Sequence, residues 1–180
     1  DLTGLPLANS SLLDEATAAA EAATMMHSLC SKEKQKAGAQ SLFVDEHIFP
    51  QTLAVLKTRM SRMGIDIVVG DYKNVNLDVN YFGAIVQYPD SDGKVEDYRS
   101  FVEKAHAADC KVAVATDLLA LVLLTPPGEW GADIAFGSSQ RFGIPMFYGG
   151  PSAAFFATRE EYKRNMPGRI IGISKDAYGK

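Results

Sequence analysis

Asp117 and the run Ser138, Ser139, Gln140 and Arg141 are the positions where residue type and placement could do chemistry. Each follows an apolar stretch that reads as a strand, 111–115 before the aspartate and 132–136 before the polar turn. Loops that leave the carboxyl ends of strands in an α/β sheet open onto the crevice where ligands sit. The polar turn gives way to a glycine-rich return through Gly143, Pro145, Tyr148, Gly149, Gly150 and Pro151. An aspartate at a strand end suits holding the ring nitrogen of pyridoxal phosphate protonated, and that cofactor also needs a lysine for its Schiff base. Asp117 is placed for the first role, and capping an apolar helix at 118–124 is an equal reading of it.

Other chemistries lack their residues. No GxGxxG follows the first strand and no GxxxxGK[ST] occurs, so dinucleotide and P-loop sites have no support. No GxSxG elbow is present, and Ser138 and Ser139 have no obvious histidine partner. His27, His47 and His106 are far apart with no metal-ligand spacing, and His106 reads as a surface or rim histidine. Cys30 and Cys110 are expected to be small buried or half-buried thiols in a reducing compartment, with no disulfide framework. The net charge of −4 argues against a nucleic-acid or anionic-membrane footprint. Lys32, Lys34 and Lys36 read as a solvated helix end, and no apolar run reaches the ~18 residues of a membrane span.

The elements that must position these residues alternate. Asn9, Ser10 and Ser11 offer N-caps, with Asp14 in the capping-box relation to Ser11, before an alanine-rich helix that runs to Ser28 and packs under a sheet. Residues 32–39 read as a polar linker and 40–44 as a strand. Pro50 opens a helix whose Leu53, Leu56, Met60 and Met63 share one face, ended by Gly64. Strands follow at 65–69 and 82–88, the second closed by Pro89 and the turn at 90–93. A helix turning Val95, Tyr98, Phe101, Val102 and Ala105 inward leads to the strand at 111–115. The last strands are expected at 132–136 and 152–158, with a charged helix starting at Arg159, Glu160 and Glu161. Continuous apolar strands alternating with helices indicate an α/β domain, a mostly parallel sheet covered on both faces. The 180 residues suit a single domain, and both ends look cut, as in a piece of a longer polypeptide.

The blocks DLTGLPLANSSLLDEATAAAEA, FPQTLAV, VQYPD, ATDLLAL, PPGEWGADI, SSQRFGIPM, YGGP, AAFFA and MPGRIIG run in order along the whole chain. In them the chain resembles the amino-terminal half of glycine dehydrogenase (decarboxylating), the P-protein of the glycine cleavage system. The resemblance implies the large domain of a fold type I, aspartate-aminotransferase-like pyridoxal-phosphate enzyme. It implies a reaction that decarboxylates glycine and passes the aminomethyl group to the lipoyl arm of H-protein. The cofactor is then bound by the other, catalytic half, fused or separate. The compartment implied is the cytoplasm, or the mitochondrion in a eukaryote.

Laid over the catalytic half, Gln140 stands opposite the Schiff-base lysine and has no amine to offer. Asp14, Glu15, Ala16 and Thr17 match the turn that cradles the cofactor phosphate, where two carboxylates repel a dianion. The resemblance thus implies a half without cofactor or catalytic residue, in which Asp117 keeps the pyridinium-partner position as a structural residue. Arg141, Tyr148 and Gly149 are expected to face the catalytic half and support its site. The alternatives are a scaffold or docking half remote from the chemistry, and a stand-alone enzyme using one of the other lysines, none of which, Lys111 included, follows the expected strand into the loop. Against its own half of the family the chain departs at Phe147, where glycine is expected, at Ser152, where histidine is, and at Phe49, often a histidine.

Overall fold

The computed structural model describes residues 1–150, 152–170 and 175–179, with Phe147 described by its backbone alone. Pro151, and the Ile171 and Gly172 that end the MPGRIIG block, lie outside the described residues. The strands are β1 (Leu7–Ala8), β2 (Ser41–Asp45), β3 (Asp66–Gly70), β4 (Tyr81–Tyr88), β5 (Lys111–Thr116), β6 (Ile134–Ser138) and β7 (Ala154–Thr158). They form a seven-stranded sheet in the order β1-β7-β6-β5-β4-β2-β3. The five strands from β3 to β6 are parallel, whereas β7 is antiparallel to both β6 and β1. The fold class is therefore the expected one, with an antiparallel edge that apolar runs alone do not reveal.

The helices α1 (Glu15–Ser28) and α3 (Pro50–Ser61) cover one face, and α4 (Arg99–Ala107) covers the other. Alanine lets α1 lie against the sheet, with Ala18, Ala19, Ala20, Ala22 and Ala23 all buried. Its approach to β4 is so close that a Cβ at Gly83 would stand 2.9 Å from Met26 Sδ. The cap of α1 is Asp14, which accepts Thr17 N–H at 2.7 Å, rather than the Asn9 to Ser11 stretch. The chain ahead of the helix pairs with β7 instead, through Asn9 N–H to Phe156 O and Leu12 N–H to Ala154 O, while Ser10 N–H donates to Arg169 O. The helix starts only after that pairing ends.

Several expectations are corrected. The supposed linker contains a helix, α2 (Lys32–Ala37), capped by Ser31 at its start and by Gly38 at φ 76° at its end. Lys34 is not solvated: its ammonium is buried and donates to Tyr81 O and to Cys110 Sγ. Both cysteines are free and buried, as expected. Met63 is exposed, while Leu56 and Met60 carry the core face of α3. Val95 is exposed ahead of α4, and the stretch after Asp117 winds only into a 3-10 turn, Ala120–Val122. Glu160 likewise begins a 3-10 turn and not an α-helix. No helix among the described residues is long and apolar enough to cross a membrane.

Candidate functional site

The carboxyl ends of β4, β5 and β6 meet the N-terminus of α1 in a cleft of about 320 Å³. Gln87, Thr116 and Ser138 reach it from the strand ends, Pro89, Asp90, Asp117, Gln140 and Arg141 from the loops beyond, and Glu15 and Phe49 from the helix starts. The structure thus brings Asp117, Gln140, Arg141 and Glu15 to one place across long sequence separations. Gly137 makes the strand ends fit, since a Cβ there would stand 2.1 Å from Thr116 O. A roomier cleft of about 590 Å³, lined by Tyr72, Lys73, Phe101 and Lys104, holds none of the sequence candidates.

Asp117 does two jobs. Its Oδ1 accepts Leu119 N–H at 2.8 Å, the capping role, and Arg141 grips the carboxylate through Nε at 2.9 Å and a terminal nitrogen at 2.8 Å, both to Oδ2. Partial burial works against the charge, but the Arg141 and Leu119 donors outweigh it and hold the carboxyl below its ordinary range. Glu15, in the first turn of α1, goes the other way. Burial, then the nearby Asp117 and Asp14 carboxylates, push its pKa up.

The turn after β6 is tied down locally. Ser138 Oγ accepts Gln140 N–H at 3.2 Å, and Ser139 Oγ donates to Ala153 O at 2.7 Å. The Gln140 amide lies in space that Gly150, at φ 83°, leaves open, because a Cβ there would be 3.0 Å from Gln140 Nε2. Further along, Tyr148 is exposed and adopts φ 52°, a left-handed conformation unusual for tyrosine, next to Gly149 at φ 88°. Two polar atoms of cleft-lining residues, Gln87 Oε1 and Thr116 Oγ1, are buried with no hydrogen-bond partner. Among the described residues only Thr52 Oγ1 is in the same state. Neither Gln87 nor Thr116 stands out in sequence, because each merely interrupts or ends an apolar run.

Two histidines have carboxylate neighbours, one of them His106, which is half-buried at the rim. His106 Nε2 meets Asp133 Oδ2 at 2.8 Å, and that buried carboxylate also accepts Val112 N–H and Tyr162 O–H and pairs with Arg159. This network ties α4, β5 and the segment after β7 to the start of β6. Burial opposes the Asp133 charge, but the His106 and Val112 hydrogen bonds prevail and lower its pKa. Its signal in sequence is a single aspartate ahead of an apolar strand. His47 lies with Asp90 and Asp92 so that one ligand atom of each falls within 4.8 Å of the others. There Asp90 Oδ1 already accepts the N–H groups of Asp92 and Lys94, as a turn aspartate does.

The relatives of the chain are consistent along its whole length. Glycine dehydrogenase (decarboxylating) from Bacteroides thetaiotaomicron is 68% identical over all 180 residues, which cover 19% of that protein. The protein of the same name from Nostoc punctiforme is 58% identical, again over the whole chain and 18% of the relative. The chain therefore spans about a fifth of the length of these curated relatives. The crystal structure of a glycine decarboxylase (P-protein) of the glycine cleavage system, in inhibitor-bound form, superimposes with a TM-score of 0.85 at 33% identity, covering 99% of this chain and 40% of that one. A cystathionine gamma-lyase from Lactobacillus plantarum, at 13% identity, shares the fold alone, with a TM-score of 0.67 over 95% of this chain and 45% of its own. The architecture is that of the fold type I pyridoxal-phosphate enzymes. The family described as "Glycine cleavage system P-protein" matches residues 1–180 without remainder, so the chain belongs to that family.

Proposed function

We propose that this chain is the large domain of the half of P-protein that carries no cofactor, and that it supports the active site of the catalytic half. The whole protein then decarboxylates glycine and hands the aminomethyl group to the lipoyl arm of H-protein, with pyridoxal phosphate on the other half. The observation that carries the reading is Gln140, the residue at the head of the turn after β6, where the resemblance puts the Schiff-base lysine and where no amine exists. The surrounding cleft fits the cofactor poorly in two further respects. Asp14 and Glu15 put carboxyl groups where a phosphate would sit, and the Asp14 side chain already fills the Thr17 N–H. Asp117 is neutralised by Arg141, so no positive ring nitrogen is needed to partner it.

In this reading Arg141 holds the 138–150 segment against β5, and the segment presents Tyr148 and Gly149 to the catalytic half. The unusual backbone at the exposed Tyr148 favours such a use, since strain of this kind gathers where a side chain must be aimed. The compartment proposed is the cytoplasm of a bacterium, in keeping with the bacterial relatives, or the mitochondrion of a eukaryote. The test is an absorbance titration of the intact protein with pyridoxal phosphate, then borohydride reduction and mass spectrometry. The expected outcome is one labelled lysine, lying outside this chain. A stoichiometric label within residues 1–180 overturns the proposal.

A further inference from the structure

The chain leaves β6 at Ser139 and returns to β7 at Ala153, and one carbonyl closes the circuit. Ala153 O accepts both the Ser139 N–H at 2.8 Å and the Ser139 hydroxyl at 2.7 Å. The segment between them has the length and the joined ends of an Ω-loop, a compact unit packed by its own side chains. Its outgoing limb is fixed twice. Gln140 O accepts Gly143 N–H at 3.0 Å and Ile144 N–H at 3.3 Å, and Arg141 is paired with Asp117. The returning limb turns through left-handed Tyr148, Gly149 and Gly150 and carries Met146 and Tyr148 into solvent. Between the limbs stands the Gln140 side chain, which lines the cleft on one side. On the other, a Cβ on Gly150 would be 3.0 Å from Gln140 Nε2 and 3.7 Å from Met146 Cα, so the three residues meet at one point.

We infer that Gln140 is the positioning residue of this loop, a wedge whose volume sets where Met146 and Tyr148 stand against the catalytic half. Among the described residues its side-chain amide makes no hydrogen bond, so what it supplies is length and bulk. Alanine at this position leaves a gap between the cleft and the returning limb. A side chain at residue 150 meets the wedge from the other side and also strains a backbone at φ 83°. Misplacing a contact by about 1 Å costs on the order of a hundredfold in rate, so a wedge remote from the chemistry is felt in turnover. The residue at the lysine position thus serves the loop and not a cofactor. This inference rests on the proposed support of the catalytic half's site, and it adds the residue that shapes the supporting loop.

The test is steady-state glycine turnover by the intact protein. Gln140→Ala should lower kcat at least tenfold and leave KM for glycine within about twofold, because the loop is displaced while the substrate contacts belong to the other half. Gln140→Met, of similar length and without the amide, should hold kcat within about threefold of wild type. Amide exchange at residues 146–150 should rise in the alanine variant and not in the methionine one. Both variants should melt at the wild-type temperature, since a half-buried side chain that makes no hydrogen bond carries little stability. Gly150→Ala should reproduce the loss of kcat from the other side of the contact. Unchanged kcat in Gln140→Ala, or a methionine variant as slow as the alanine one, overturns the inference. So does a loss of turnover matched by a lowered melting temperature, the mark of a merely structural residue. A raised KM at full kcat, the mark of direct substrate contact, overturns it as well. A borohydride-labelled lysine within residues 1–180 defeats the underlying reading instead, so the two failures are distinguishable.

Discussion

Arg141 does for Asp117 what a ring nitrogen does in a cofactor site, supplying the positive partner that keeps a partly buried carboxylate ionised. The pair joins residues 24 apart in sequence, and only the adjacency of β5 and β6 brings them together. Sequence reasoning found both residues but not their pairing, because pairing between two strand ends is a property of the sheet and not of either loop. Because the Asp117 pKa is depressed in the folded state, its contribution to stability is present above about pH 4 and lost as pH falls through the lower folded value. Arg141→Met is therefore expected to destabilise by about 1 kcal/mol or less at neutral pH, the range for a half-exposed pair. The gap between variant and wild type should close in acid, as read from melting temperatures between pH 7 and pH 3. A gap that is undiminished at pH 3 would assign the loss to Arg141 packing instead.

At the scale of elements, periodicity and caps carried most of the fold. The alanine run, Pro50 and the apolar strands each put a helix or strand where the chain has one. What escaped was α2, where a run of Lys, Glu and Gln looks solvated although Ser31 and Gly38 bracket a capped helix. Its Lys34 reaches under the sheet to Tyr81 O and Cys110, a contact no local pattern encodes. Cys110 also donates its S–H to Tyr81 O, so that carbonyl keeps a partner if the lysine is lost. Lys34→Met is expected to change stability by no more than about 1 kcal/mol in chemical denaturation, since an apolar chain of similar length removes a buried charge together with its desolvation. Gly137→Ala should behave differently. Its Cβ would sit 2.1 Å from a backbone oxygen of β5, which cannot yield as a flexible side chain does. A loss of about 3 kcal/mol, the upper end of overpacking, is expected, and a neutral alanine there would mean that β5 and β6 are free to part at the cleft.

For the whole molecule the telling feature is where apolar side chains remain in solvent. Leu119 and Leu123 follow β5, Phe142 and Met146 follow β6, and Leu13 precedes α1, so all five surround the carboxyl edge that holds the cleft. Leu123 is 90% exposed and Met146 is 79% exposed. Scattered apolar residues need no explanation, but a set gathered on one edge marks a surface that something covers. Under the proposed function that cover is the catalytic half, and Tyr148 belongs to the same rim. The sequence contained each of these residues but not their common edge, which depends on the strand order. Leu123→Asp and Phe142→Asp place charges on the rim without touching either core cluster. Each should leave the fold of this domain intact by circular dichroism. Each should also raise amide exchange in the loops after β5 and β6 of the intact protein and lower its turnover of glycine at least tenfold. Unchanged exchange and turnover in both variants would mean that the catalytic half packs against a different surface, and the role proposed for Arg141 and Tyr148 would fall with it.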